Sequence, residues 1–288
     1  MSLAEFVKQP SLRSLSQVFG GGPAKPGDAY GAPGTGKSTA ISVITGIALL
    51  VVWWYVTERG LVKPLFLPAP QAIVDKFVEL WTEGFGGATL WQHTWASLQR
   101  VFGAFLLACV TAIPVGIGMG MNRLVRGVFD PPIEFYRPIP PLAYLPLVII
   151  WAGIGETAKI LLIYLAVFAP MALNARAGVR SVSIEQIHAA YSLGASRTQI
   201  VAQVVLKAAM PEILTGMRIG IGFGWTTLVA AEMVAAEQGL GVMVLSAAEF
   251  LVTDVVVTGI VIIGVLAYLF DLLMRYVERL LVPWKGKV

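Results

Sequence analysis

Six stretches of this sequence are long, apolar and almost free of charge, and they dictate where the backbone can go. They cover residues 39–57, 101–121, 138–155, 160–175, 213–231 and 255–270, and the one charge among them is Arg218. A backbone surrounded by hydrocarbon has to satisfy its own hydrogen bonds, so each stretch is predicted to be a helix. About 20 apolar residues carry a helix across the hydrocarbon core. Charged residues make up 13% of the chain, whereas soluble domains hold about 25%. The predicted fold class is therefore all-α, a polytopic membrane protein of about six transmembrane helices over residues 39–288. Residues 1–38 are rich in Gly, Pro, Ser and Lys and read as a flexible cytoplasmic tail. With the first apolar run starting only near Thr39, no secretory signal is expected.

Composition also narrows the chemistry. The net charge is +4, and topology accounts for it without any nucleic acid. The one cysteine, Cys109, lies in an apolar run and reads as a small buried side chain. One Cys and two His cannot make an intrachain disulfide or a metal cluster, so no metal site is expected.

Lys and Arg set the orientation. If the N-terminus is cytoplasmic and all six stretches cross, Arg59, Lys63, Lys76, Arg100 and Lys159 lie outside and the other sixteen of the 21 lie inside. The opposite arrangement inverts this bias, so both termini are predicted to be cytoplasmic. Two segments read as interfacial. Residues 61–94 carry Pro68 and Pro70 and then Ile73, Phe77, Leu80 and Trp81, the pattern of an amphipathic helix on the outer surface, with a plain loop as the alternative. Residues 239–250 read as a second short outer helix or a re-entrant piece.

Residues 31–38, GAPGTGKS, fit the phosphate-loop pattern letter for letter. That chemistry needs a buried strand before the loop, a soluble helix after it, and a downstream carboxylate for magnesium. Here a Pro- and Gly-containing tail precedes it and an apolar helix follows, so nucleotide binding at Lys37 is not expected.

The segment between the fourth and fifth stretches, residues 185–211 within a loop at 180–211, is different in kind. Ser183 precedes Gln186 by three residues and Ser196 precedes Gln199 by three, both at capping-box spacing. Gly194 stands where a left-handed C-terminal cap is usual. The prediction is a helix, a glycine hinge and a second helix that ends before Pro211. Ile184, Ile187 and Tyr191, then Ile200, Val201, Val204 and Val205, repeat at helical spacing. Periodicity alone allows either a loop packed on its own bundle or a surface that receives a partner.

This segment resembles the EAA loop of ABC importer membrane subunits, roughly E-A-A-x3-G-x9-I-x-L-P. Ala189, Ala190, Gly194, Val204 and Leu206 fall in register, while His188 replaces the Glu and Lys207 the Pro. Other strings resemble the sulfonate/nitrate/taurine branch of that family, toward its taurine side: LWQH at 90–93, PIPPLAYLPL at 138–147, WAGIGET at 151–157, PEILTGMRIG at 211–220 and GFGWTTLVAAE at 222–232. The likeness runs from residue 65 to 284 and omits the tail.

The resemblance implies a type I importer (MetI-like) fold in a bacterial inner membrane. It also implies no catalytic residue and no cofactor in this chain, since ATP and magnesium belong to a partner ATPase dimer. That partner would dock on Ala189, Ala190, Leu193, Gly194, Ala195 and Arg197. Further partners are a second permease copy, an extracytoplasmic substrate-binding protein and membrane lipid. The cargo is taurine or another small sulfonate. Its path draws on Arg137, Tyr144, Trp151, Trp225, Thr226, Thr227 and Glu232, each of which also reads as a structural or interfacial side chain. The prolines after Arg137 read as a gate or as a packing kink.

Gly216, Gly220 and Gly224 make two G-x-x-x-G steps, and Gly116 and Gly120 make another. Such faces allow close helix approach, within the bundle or to a second subunit, with bending as the alternative. The fifth stretch is therefore predicted to be central. The rivals are a stand-alone secondary transporter or channel and a membrane-anchored ATPase using Lys37.

Overall fold

The computed structural model describes residues 39–234 and 236–284. The tail and the phosphate-loop-like string at 31–38 lie outside them. Among the described residues the structure is helical: α1 Thr39–Glu58, α2 Pro70–Thr82, α3 Leu90–Met121, α4 Arg123–Tyr136, α5 Pro141–Ala152, α6 Glu156–Arg180, α7 Ile184–Ser192, the single turn α8 Arg197–Gln199, a π-helical stretch Ile200–Val205, α9 Leu206–Glu232, α10 Leu240–Glu249 and α11 Thr253–Leu281. Five of these elements are long and apolar enough to cross a membrane: α1, α3, α6, the run Arg197–Glu232 and α11.

The third apolar stretch differs from its expected form. Residues 138–155 are not one uninterrupted crossing helix. α5 has 12 residues, about 18 Å at 1.5 Å per residue. Pro138 and Pro140 lack the N–H a helix interior needs and remain outside it, while Pro141 sits at the first helical position, where no donor is required. Gly153 closes the far end at φ +77°. Two ion pairs still require the chain to cross here. Arg100 near the start of α3 pairs with Glu156 at the start of α6, and Arg176 near the end of α6 pairs with Asp130 in α4. α3 and α6 are thus parallel, and α4 with α5 carries the chain back between them.

The centre of the bundle is α6, not α9. In its most apolar window 61% of residues are buried, against 33% for α3, 33% for the α9 run and 22% for α11. The glycine faces explain why. A Cβ on Gly116 would strike the Ala172 carbonyl, and one on Gly120 would come within 2.6 Å of Val179. On the other side Gly216 abuts Asn174, and Gly220 and Gly224 abut Val167. α6 returns the favour at Gly178, where a Cβ would lie 2.8 Å from the Ala209 carbonyl. Both G-x-x-x-G faces therefore serve close approach inside the protomer. Leu162, Ile163, Val167, Met171 and Ala172 fill the seam and are wholly enclosed.

α2 is the expected amphipathic helix, with Ile73 and Leu80 buried and Phe77 and Trp81 stacked on its exposed side. The 239–250 segment forms the expected short helix, α10. The second helix of the 185–211 segment does not stop before Pro211. It passes through the π-helical stretch into α9, giving one 36-residue helical run, Arg197–Glu232. Pro211 lies inside it. Packing against α6 holds the run together at the cost of one missing ladder donor.

Candidate functional site

Three regions carry polar or exposed chemistry. The first is the helix-hinge-helix at one end of the bundle. Ser183 accepts from the Gln186 N–H and starts α7. At its end the Gly194 N–H donates to the Tyr191 carbonyl (2.9 Å) and the Ala195 N–H to the Ala190 carbonyl (3.1 Å). These are the two bonds of a Schellman cap, with Gly194 in the left-handed region at φ +80°. Ser196 and Gln199 then form a full capping box. The caps expected from spacing are present.

The cap turns Leu193 outward, where it is 89% exposed. Ala189, Gly194 and Arg197 are exposed with it. Ala190 and Ala195 pack instead on an inner cluster of Ala175, Val179, Ile200, Val205, Ala209 and Ile213. The six residues read as a docking surface thus divide into four that face outward and two that seat the loop. Beside them lies a groove of about 780 Å³ that Leu193, Lys207, Pro211 and Trp284 help to line.

The second region is a cavity of about 510 Å³ where the proline-rich connection meets α6 and α9. Arg137, the prolines at 138, 140 and 141, Tyr144, Asn174 and Phe223 face it. Of the residues read as path-lining, it brings together Arg137 and Tyr144. Thr226 is exposed on α9 and bonds back to the Phe223 carbonyl at 2.9 Å. Thr227 is buried, and Trp151 is 71% exposed at the end of α5. Trp225 is buried, and its indole N–H has no acceptor among the described residues.

The third region is a polar clasp at the opposite end of the bundle. Glu232, read as a path residue, is fully enclosed there. His93, Ser97 and Arg100 lie on one face of α3. Arg100 Nη1 donates to Glu232 Oε1 at 2.7 Å and to the Gln238 carbonyl at 2.7 Å. Its Nε and Nη2 donate to both oxygens of Glu156, and Lys159 Nζ donates to Glu156 at 2.9 Å. Ser97 Oγ donates to Glu232 at 2.7 Å.

The first turn of α10 completes this network. The N–H groups of Gly239, Leu240 and Gly241 donate in turn to His93 Nδ1, Ser97 Oγ and Glu232 Oε2. His93 Nε2 lies 3.0 Å from the Phe85 carbonyl, and Nδ1 lies 3.0 Å from the Gly239 carbonyl. The donors at a helix start have no partners within the helix, and side chains from α3 and α9 supply them. Gly239, at φ +148°, has no room for a Cβ because the Glu232 carboxylate occupies that space. Sequence reading missed His93, Ser97 and Arg100. Their signal was the 4-and-3 spacing that puts them on one helical face.

The profile of the family described as "Binding-protein-dependent transport system inner membrane component" matches residues 112–282. Those residues include α6, the capped loop, all of α9 and the second half of the clasp. The chain belongs to that family. The chain is also 56% identical over 253 residues to the taurine transport system permease protein TauC of Escherichia coli, covering 88% of this chain and 92% of that one. It is 35% identical over 238 residues to the putative aliphatic sulfonates transport permease protein SsuC of Bacillus subtilis, covering 83% and 85%. A chain from an inward-facing structure of the MetNI methionine ABC transporter shares the fold at TM-score 0.56 and 23% identity, covering 65% of this chain and 93% of that one. Membership places the chain in a membrane as a multi-pass transport-system component.

Proposed function

We propose that the chain is the permease subunit of an ATP-driven importer for taurine or a close small sulfonate. The observation that carries this reading is the exposed, doubly capped turn at Gly194 joined without a break to α9. It offers a partner a fixed knob on the end of a long lever. The likeness to TauC supports taurine as the cargo.

In this reading the loop end is cytoplasmic, as are both termini, and the clasp end faces outward. A partner ATPase dimer holds ATP and magnesium and grips Ala189, Leu193, Gly194 and Arg197, while Ala190 and Ala195 hold the knob to its own bundle. This chain holds no cofactor and makes or breaks no covalent bond. Two copies pair to enclose the path, with the cavity at Arg137 and Tyr144 as its gate. A substrate-binding protein delivers the cargo at the clasp end.

The test is reconstitution of the chain in liposomes with its ATPase and its binding protein. Taurine should accumulate only when all three are present with ATP. Equal accumulation without ATPase or nucleotide overturns the reading and leaves a stand-alone transporter.

A further inference from the structure

Beside the clasp lies a pocket of about 440 Å³ lined by Arg100, Gly155, Glu156, Lys159, Glu237 and Gln238 among others. Its charges are unequally used. All three guanidinium nitrogens of Arg100 are engaged with Glu156, Glu232 and Gln238. Lys159 is 5% exposed and, among the described residues, donates one hydrogen bond, to Glu156. An ammonium has three donors, and a buried donor left unfilled is costly. Glu237 is exposed and stands in no ion pair among the described residues. The pocket therefore holds a cation with spare donors at its wall and a carboxylate without a partner.

We propose, on the reading of the chain as a sulfonate permease, that this pocket is a landing site for a zwitterionic amino-sulfonate. Sulfonate oxygens fill the vacant donors of Lys159, and the ammonium of the same molecule pairs with Glu237. The two ends have distinct roles. Lys159 takes any small sulfonate, and Glu237 separates amino-sulfonates from plain alkanesulfonates. An anion lacking an ammonium meets the carboxylate of Glu237 with nothing to offset it. A zwitterion answers both signs. Both anchors are single contacts beside solvent, so the hold is weak and the cargo can leave.

The test uses the full chain in complex with its ATPase in nanodiscs, with taurine and ethanesulfonate as probes in saturation-transfer NMR. Taurine should bind and ethanesulfonate should bind about tenfold more weakly, the effect of losing one well-placed charge contact. Glu237→Gln, a change at an exposed position, should weaken taurine by a similar factor and leave ethanesulfonate unchanged or tighter. Lys159→Gln should weaken both, and Lys159→Arg should restore both, which separates anion contact from a fold defect. Equal binding of the two probes, or a Glu237→Gln variant indistinguishable from the parent, overturns the proposal. ATP-driven taurine accumulation by the parent complex reports separately on the transport reading. If it occurs while the variants bind as the parent does, the landing site alone fails.

Discussion

Glu232 and Arg100, 132 residues apart in sequence, meet at 2.7 Å in the interior of the clasp, with Glu232 fully enclosed and Arg100 nearly so. The pair is satisfied on every side by Ser97, Glu156, Gln238 and the start of α10. A buried pair of this kind stabilises little relative to a matched apolar pair, yet breaking it from one side leaves a charge stranded.

Arg100→Met or Glu232→Met alone should therefore cost about 3–5 kcal/mol. Arg100→Met with Glu232→Met should cost less than the two single changes summed. Thermal unfolding of the four purified proteins in one detergent measures this coupling. Strictly additive losses would mean that the two side chains act independently.

Gly239→Ala should destabilise by more than about 2 kcal/mol. It forces a Cβ onto the Glu232 carboxylate in a backbone conformation that side-chain-bearing residues rarely adopt. Gly222→Ala in α9 is the control. Nothing lies within 4 Å of its Cβ position, and the exchange should be neutral or gain about 0.5–1 kcal/mol from helix propensity. The melting temperature should fall for Gly239→Ala and hold or rise for Gly222→Ala.

Gly194→Val should abolish uptake while membrane insertion is retained. A β-branched residue at φ +80° costs about 1–2 kcal/mol or more, which opens the Schellman cap and turns Leu193 away from its exposed position. Gly194→Asn, which tolerates this conformation, should keep most of the uptake. Radiolabelled taurine uptake alongside surface biotinylation distinguishes a lost knob from a lost protein.

Leu251 is the one non-glycine residue with positive φ among the described residues, at +58°. It ends α10 in the place a glycine normally takes, with the Val252 N–H reaching back to the Ala247 carbonyl. Leu251→Gly should remove about 1 kcal/mol of strain and slow hydrogen exchange at the end of α10. Faster exchange there would show that the leucine side chain holds the turn.

The apolar stretches were legible because hydropathy and backbone hydrogen bonding leave a membrane segment few choices. So were the three loop caps, since Ser183, Gly194 and Ser196 act on neighbours three to five residues away. The choice of central helix was not. Gly216, Gly220 and Gly224 announce a close approach without naming the partner, and that partner, α6, carries a single glycine in the seam. The short α5 was missed because residues 138–155 hold no charge and read as one span, while the helix ladder excludes Pro138 and Pro140. The clasp was hidden for a related reason. Arg100 reads as one more loop-side charge until α9 folds back and brings Glu232 beside it.

One consequence follows from the glycine seams. α3, α6 and α9 touch backbone to backbone, and such surfaces cannot slide without climbing over carbonyl groups. The three helices must travel as one block, so in the importer proposed above any opening of a path falls to the way two copies tilt about each other, or to α5 and α11 at the block's edge.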